Sequence, residues 1–355
     1  MSLLERLKAE IAVGGPVSIA DYMSRCLHDP HFGYYATRPA LGEDGDFITA
    51  PLVSQMFGEL IGLWAVETWR RLGAPSHFLL VEAGPGDGTL MSDALRAARL
   101  APDFIEAAEL WLVETSDPLI RSQRLALADA PLEPRWIASL SALPEDAPII
   151  LVANELLDCL PARQLVRTAA GWAERQVGLD ARGDLAFGLA PVFDYRNEAN
   201  RGIGAVAEIS TAQQAFGAQL GGLVARQTGA ALLIDYGRDE PGYGDTLQAL
   251  KRHETVDPLA CPGEADLTVH VDFPAVLAAA WLAEASTAIL TQGDFLRRLG
   301  IEHRAAALKR TRPDQVARID RQLARLIDDD QMGLLFKAAC IHSAGFIPPG
   351  FEAAA

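Results

Sequence analysis

Along the chain, short apolar runs trade places with segments whose apolar residues recur at a helical period. The runs at Phe78–Val81, Leu110–Val113, Ile149–Ala153 and Ala231–Ile234 are the right length for buried strands, with a shorter one at Arg135–Ala138. Helical spacing marks 3–13, 18–27, about 54–72, the stretch from Leu90 onward, 117–129, 211–228, 274–284, 293–308 and 313–328. Further strands are expected at 286–290 and 334–341. Two stretches depart from this βα alternation. Residues 163–188 alternate in segments broken by Ala170-Gly171 and Arg182-Gly183-Asp184, which signals hairpins. Residues 266–273 alternate polar and apolar, so one extended strand would put Asp266, Thr268, His270 and Asp272 on a single face.

Everything is organised around the end of the first buried run, Val81-Glu82-Ala83-Gly84-Pro85-Gly86-Asp87-Gly88-Thr89-Leu90. A strand ends in an acid, turns on Gly84, Gly86 and Gly88, and enters a helix. Glycines there allow positive φ and a close ligand approach, and the helix start offers free N–H groups that suit a carboxylate or phosphate. The register is wrong for a dinucleotide: the third glycine comes one residue early, and Thr89 stands where that pattern needs Gly or Ala. Glu82 at the strand's carboxyl end suits an amine, such as that of S-adenosylmethionine, better than a bare pyrophosphate.

The same rule that ligands sit beyond strand ends picks out the other candidates. Glu114 follows the second strand and can accept both hydroxyls of a ribose, with a solvated strand end as the bland alternative. Ser139 and Leu140 follow the 135–138 strand and can border an adenine. Asn154, Glu155 and Asp158 follow the fourth strand and can orient or neutralise a nitrogen nucleophile; Asp235 ends the fifth. A hydrogen-bonded half-buried strand is the better explanation of the surroundings of His270, which stays a candidate proton acceptor, and no paired spacing suggests zinc. The aromatic loops around Phe32-Gly33-Tyr34-Tyr35 and Gly45–Pro51, which include Asp46, read either as a cap buried in the core or as a lid.

Composition narrows the reading. With 355 residues, the chain exceeds one typical domain of about 100–200 residues. A net charge of −16 argues against a nucleic-acid groove and fits a basic protein segment as partner. Four scattered cysteines make neither a zinc site nor a disulfide framework, and the start lacks the features of a signal or transit peptide. No apolar run approaches about 18 residues. The expectation is a cytoplasmic chain without membrane insertion, in which the apolar 274–308 stretch is core or a homodimer face.

In order, Gly33-Tyr34-Tyr35, Gly45–Pro51, Glu82–Leu90, Asn154-Glu155-x-x-Asp158-x-Leu-Pro161, Ile234–Gly237, Gly244–Gln248, Asp266–Phe273, Thr291-Gln292-Gly293 and Pro348–Phe351 resemble the MidA-type proteins. Asp87 departs from the resemblance, which leads one to expect a basic residue there. The resemblance implies an α/β, Rossmann-like class I methyltransferase fold, a twisted and mostly parallel seven-stranded sheet with its last strand antiparallel. It implies S-adenosylmethionine as cofactor, held by Glu82, Gly84, Pro85, Gly86, Gly88, Thr89, Glu114, Ser139, Leu140 and Asn154. It also implies methylation of a protein arginine, on a subunit of respiratory complex I or a related protein. Glu155 and Asp158 then become the residues that hold the guanidinium, with Asp46 and Asp235 next and His270 as base. The chain divides into a helical cap (1–72), a cofactor-binding core (73–160 and 229–351, with a helical insertion near 293–328) and an inserted substrate lobe (161–228). The alternatives are a cofactor-binding assembly chaperone without catalysis and, less favoured by the glycine register, an NAD-linked oxidoreductase.

Overall fold

The computed structural model describes residues 2–37, 49–192, 195 and 202–353. Its central sheet contains, in chain order, β1 (Phe78–Ala83), β2 (Ala108–Val113), β3 (Arg135–Ile137), β4 (Ile149–Asn154), β5 (Gly229–Arg238), β6 (Ser286–Thr291) and β7 (Phe336–His342). In space they lie in the order β6-β7-β5-β4-β1-β2-β3, and Val271–Asp272 extends the sheet beside the end of β5. Strands β3, β2, β1, β4 and β5 pair in parallel, whereas β7 runs antiparallel to both β5 and β6. This is the mostly parallel sheet, closed by an antiparallel last strand, that the resemblance implies. No described helix is long and apolar enough to cross a membrane.

Successive side chains of a strand point to opposite faces, and here both faces are covered. Leu80, Ile150, Val152, Leu232 and Ile234 join one apolar cluster. Their neighbours Leu79, Val81, Leu151, Ala231 and Leu233 join the other. The first cluster is covered by helices α1 (Gln55–Arg71) and α2 (Thr89–Ala98). The second is covered by α4 (Thr211–Gln227) and α5 (Phe273–Leu282), while α3 (Asp117–Ala126) lies against the glycine turn. α4 and α5 pack closely enough that a Cβ at Gly221 would come within 2.6 Å of the Ala280 carbonyl oxygen. So 211–227, grouped with the inserted lobe on sequence, covers the central sheet.

The second lobe mixes distant segments. Strands Arg163–Thr168, Gly171–Leu179, Leu185–Pro191 and Val206–Ile209 form a sheet that also takes Val17–Ser18 from the N-terminal region. Leu7, Ile19, Tyr22 and Met23 from the N-terminal helices share one apolar cluster with Val177, Ala249, Leu267 and Val269. Two elements differ from the sequence reading. The 266–273 stretch is broken: Asp266–Thr268 pairs with Gln248–Lys251, whereas Val271–Asp272 pairs with β5, so the four polar residues do not share one face. The expected 293–308 helix divides into Gln292–Arg298 and Ile301–Thr311, because Gly300 takes a left-handed φ of 89°.

Candidate active site

Strand register places the tips side by side: Ala83 is level with Val113 and Ala153, and Ile234 with Asn154. Beyond these tips lies a cavity of about 380 Å³, within the range of about 300–1,000 Å³ usual for small-molecule sites. Glu82, Gly84, Pro85, Gly86, Glu114, Asn154, Glu155 and Asp158 all contribute to its wall. Gly84 and Gly86 take positive φ, 67° and 55°, and a Cβ on Gly84 would meet the Leu156 side chain at 2.7 Å. Only glycine keeps that turn open beside the 154–160 loop.

Glu82 is 1% exposed, and its Oε2 has no hydrogen-bond partner among the described residues. Burial, with Asp87 nearby, raises its pKa to about 8. A buried carboxyl left incomplete in this way fits a ligand that brings a cationic N–H donor. Glu114 lines the cavity with both carboxyl oxygens held. Its Oε1 accepts the N–H groups of Thr115 and Ser116, both at 2.7 Å, and its Oε2 accepts from the Gln123 amide at 3.1 Å. Burial raises its pKa, and those two N–H groups work against the rise. A buried carboxyl with one oxygen unpartnered among the described residues, a glycine cradle and a second carboxyl just past the next strand together fit the methionine and ribose parts of S-adenosylmethionine.

The loop after β4 supplies a third group. Glu155 has a left-handed φ of 50°, a strained conformation for a residue other than glycine, and strain of this kind gathers at functional sites. Its Oε1 accepts the Ala50 N–H and the Asn154 amide, each at 2.9 Å. Burial raises its pKa to about 7 despite the Ala50 N–H. Asp158 accepts the Tyr236 hydroxyl at 2.7 Å, and burial raises its pKa as well. The Asn154 Oδ1 is buried without a hydrogen-bond partner among the described residues.

Several sequence candidates stand off the wall. Asp235 is fully buried beneath the loop, where its Oδ2 accepts the N–H groups of Leu157 at 2.9 Å and Asp158 at 3.2 Å; it shapes the loop that carries Glu155. His270 is not part of the wall: its ring lies edge-on to Tyr236, its backbone N–H donates to the Thr246 hydroxyl, and burial lowers its pKa. Gly88 and Thr89 begin α2, the Thr89 N–H donating to Asp87. Ser139 caps a short 3-10 turn and Leu140 is buried in the second apolar cluster, so Ala138 takes the wall position instead. Asp46 lies outside the described residues.

The wall also holds residues that the sequence reading did not assign. His28 and Tyr35 stack at 5.9 Å, Tyr35 donates to Asp266 at 3.2 Å, and all three line the cavity, as does Phe216 of α4. The Gly33-Tyr34-Tyr35 motif held a signal for Tyr35, and the Asp266 motif one for its partner. No local pattern marks Phe216, whose place depends on α4 returning to the sheet.

A family described as "putative S-adenosyl-L-methionine-dependent methyltransferase" matches residues 60–291. The chain is 36% identical to the mitochondrial protein arginine methyltransferase NDUFAF7 of Mus musculus, over 86% of this chain and 76% of that one. It is 32% identical to the protein of the same name from Danio rerio, over 95% and 86%. A crystal structure of a Burkholderia thailandensis protein bound to S-adenosyl-homocysteine superposes with a TM-score of 0.85 and 30% identity, covering 99% of this chain and 93% of that one. The chain therefore belongs to this family of S-adenosyl-L-methionine-dependent methyltransferases, and S-adenosyl-L-methionine is its cofactor.

Proposed function

We propose that this methyltransferase modifies an arginine guanidinium in a protein, and that a respiratory complex I subunit, suggested by the resemblance to MidA-type proteins, is an acceptor. The observation that carries the reading is the acidic make-up of the wall: the carboxyl groups of Glu155, Asp158 and Asp266 line it, and no Lys or Arg does so among the described residues. Such a wall favours a cationic acceptor and suits relatives named as protein arginine methyltransferases.

When bound, the cofactor supplies a methyl group already activated on a cationic sulfur, so the protein's task is chiefly placement. Glu82 holds the amine, the N–H groups of the glycine turn hold the carboxylate, and Glu114 accepts the ribose hydroxyls. Glu155 and Asp158 hold the guanidinium. An arginine side chain is always protonated in water, so the attacking nitrogen must lose a proton as the new N–C bond forms and the S–C bond breaks. Glu155, with its pKa raised to about 7 by burial, takes that proton.

The test is incubation of the purified protein with methyl-labelled S-adenosylmethionine and a detergent extract containing respiratory complexes, followed by mass spectrometry of labelled proteins. The expected product is methylarginine. Label on another residue type, or on no protein, would overturn the reading. Glu155→Gln should abolish transfer while changing the affinity for S-adenosylhomocysteine less than about threefold, the pattern of a group that acts mainly in the transition state.

A further inference from the structure

Gln123 lies on α3 four residues from Leu119 and four from Leu127, on the face turned inward, so a polar amide stands where an apolar side chain is expected, and it is fully buried. It makes three hydrogen bonds. The amide nitrogen donates to the Gly86 carbonyl at 2.8 Å and to Glu114 Oε2 at 3.1 Å, and the amide oxygen accepts the Trp136 indole N–H at 2.8 Å. The indole N–H can only donate, so it fixes which end of the amide faces the cofactor site. α3 is also drawn tight against the turn: a Cβ on Gly88 would lie 3.1 Å from the Gln123 Cα. One side chain thus spans the glycine turn after β1, the carboxylate after β2 and the edge strand β3.

We propose that Gln123 is a positioning residue that holds Glu114 in register with the glycine turn and thereby sets the enzyme's preference for an intact ribose diol. The physical reason is that Glu114 has one oxygen engaged by backbone N–H groups and the other, among the described residues, by Gln123 alone. Without that amide the carboxylate can rotate about its terminal torsion and lose alignment with a diol. The inference rests on the reading of Glu114 as the ribose ligand.

The experiment compares the affinity for S-adenosylhomocysteine with that for its 2′-deoxy analogue, by calorimetry, in the native protein and in Gln123→Met, Trp136→Phe and Glu114→Gln variants. The native protein should prefer the hydroxylated ligand by roughly tenfold or more, the effect of a hydrogen bond to a charged group. In Gln123→Met the preference should fall below about threefold, because the hydroxylated ligand alone loses affinity. Trp136→Phe, which keeps an aromatic ring but frees the amide to flip, should move the ratio the same way by less. A purely structural role would weaken both ligands equally and leave the ratio unchanged, and that result overturns the proposal. Should Gln123→Met fail to fold, the ratio in Trp136→Phe decides: an unchanged ratio overturns the proposal. If Glu114→Gln removes the preference while both other variants keep it, the reading of Glu114 stands and the role of Gln123 falls. If the native protein shows no preference, both fall together.

Discussion

Glu82 sits at the tip of a buried strand with one oxygen unpartnered among the described residues and a pKa raised to about 8 by burial and Asp87. In the ligand-free protein at pH 7 it is therefore mostly protonated, and taking up an ammonium group requires it to release that proton. Cofactor affinity should then rise with pH up to about 8, approaching tenfold per pH unit well below that value. Calorimetry with S-adenosylhomocysteine at pH 6, 7 and 8, in buffers of different ionisation enthalpy, should show the rise and the proton released. An affinity independent of pH would mean that Glu82 does not meet the amine. At this scale the cavity wall is legible in the sequence where a wall residue coincides with a strand end, as for Glu82, Glu114 and Glu155. Gln123 was not legible, because its partners Gly86, Glu114 and Trp136 come from three different strands and their ends, which only the folded sheet brings together.

At the scale of elements, apolar runs announced the buried strands because both faces of a covered sheet demand apolar residues. The periodicity of 211–228 announced a helix but not its neighbour. What decides the neighbour is a pair of glycines: Cβ atoms at Gly217 and Gly221 would lie 2.4 Å and 2.6 Å from the carbonyl oxygens of Val276 and Ala280. Those carbonyls are backbone and cannot yield as a flexible side chain would, so the two helices must separate around any larger residue. Gly221→Leu should destabilise the protein by roughly 3 kcal/mol, the upper end of the usual cost of overpacking. A lowered urea midpoint with an unchanged slope would register it. A midpoint equal to that of the native protein would show that the contact tolerates a side chain. The 266–273 stretch misled for a related reason: alternation fits a strand, but it carries no information that the first half pairs with Gln248–Lys251 and the second with β5.

For the molecule as a whole, the collected carboxyls of the site make stability depend on pH. Burial raises the pKa of Glu82 to about 8 and that of Glu155 to about 7, and it holds Asp235 well above the usual carboxylate range, with Asp158 and Glu155 adding to the effect. Each of these groups ionises in the unfolded chain near pH 4–5 but keeps its proton in the folded one to a higher pH. Between those two pKa values the folded state binds more protons than the unfolded state, so each group makes stability fall as pH rises, by about 1.4 kcal/mol per pH unit. His28, His270 and His342 work in the opposite direction, since burial lowers their pKa values and stability is lost as pH falls below their unfolded value of about 6.5. From about pH 7 upward the histidines are largely neutral in both states, and the carboxyls govern. The ligand-free protein should therefore lose thermal stability from about pH 7 to about pH 8, and saturating S-adenosylhomocysteine should raise the melting temperature more at the upper end, where Glu82 gives up its proton at least cost. Glu82→Gln should lessen the decline in the ligand-free protein and abolish the stabilisation by ligand. A melting temperature that climbs over this range in the ligand-free protein would show that the rim carboxyls are already ionised at neutral pH, and the proton assigned to Glu82 would have to be withdrawn.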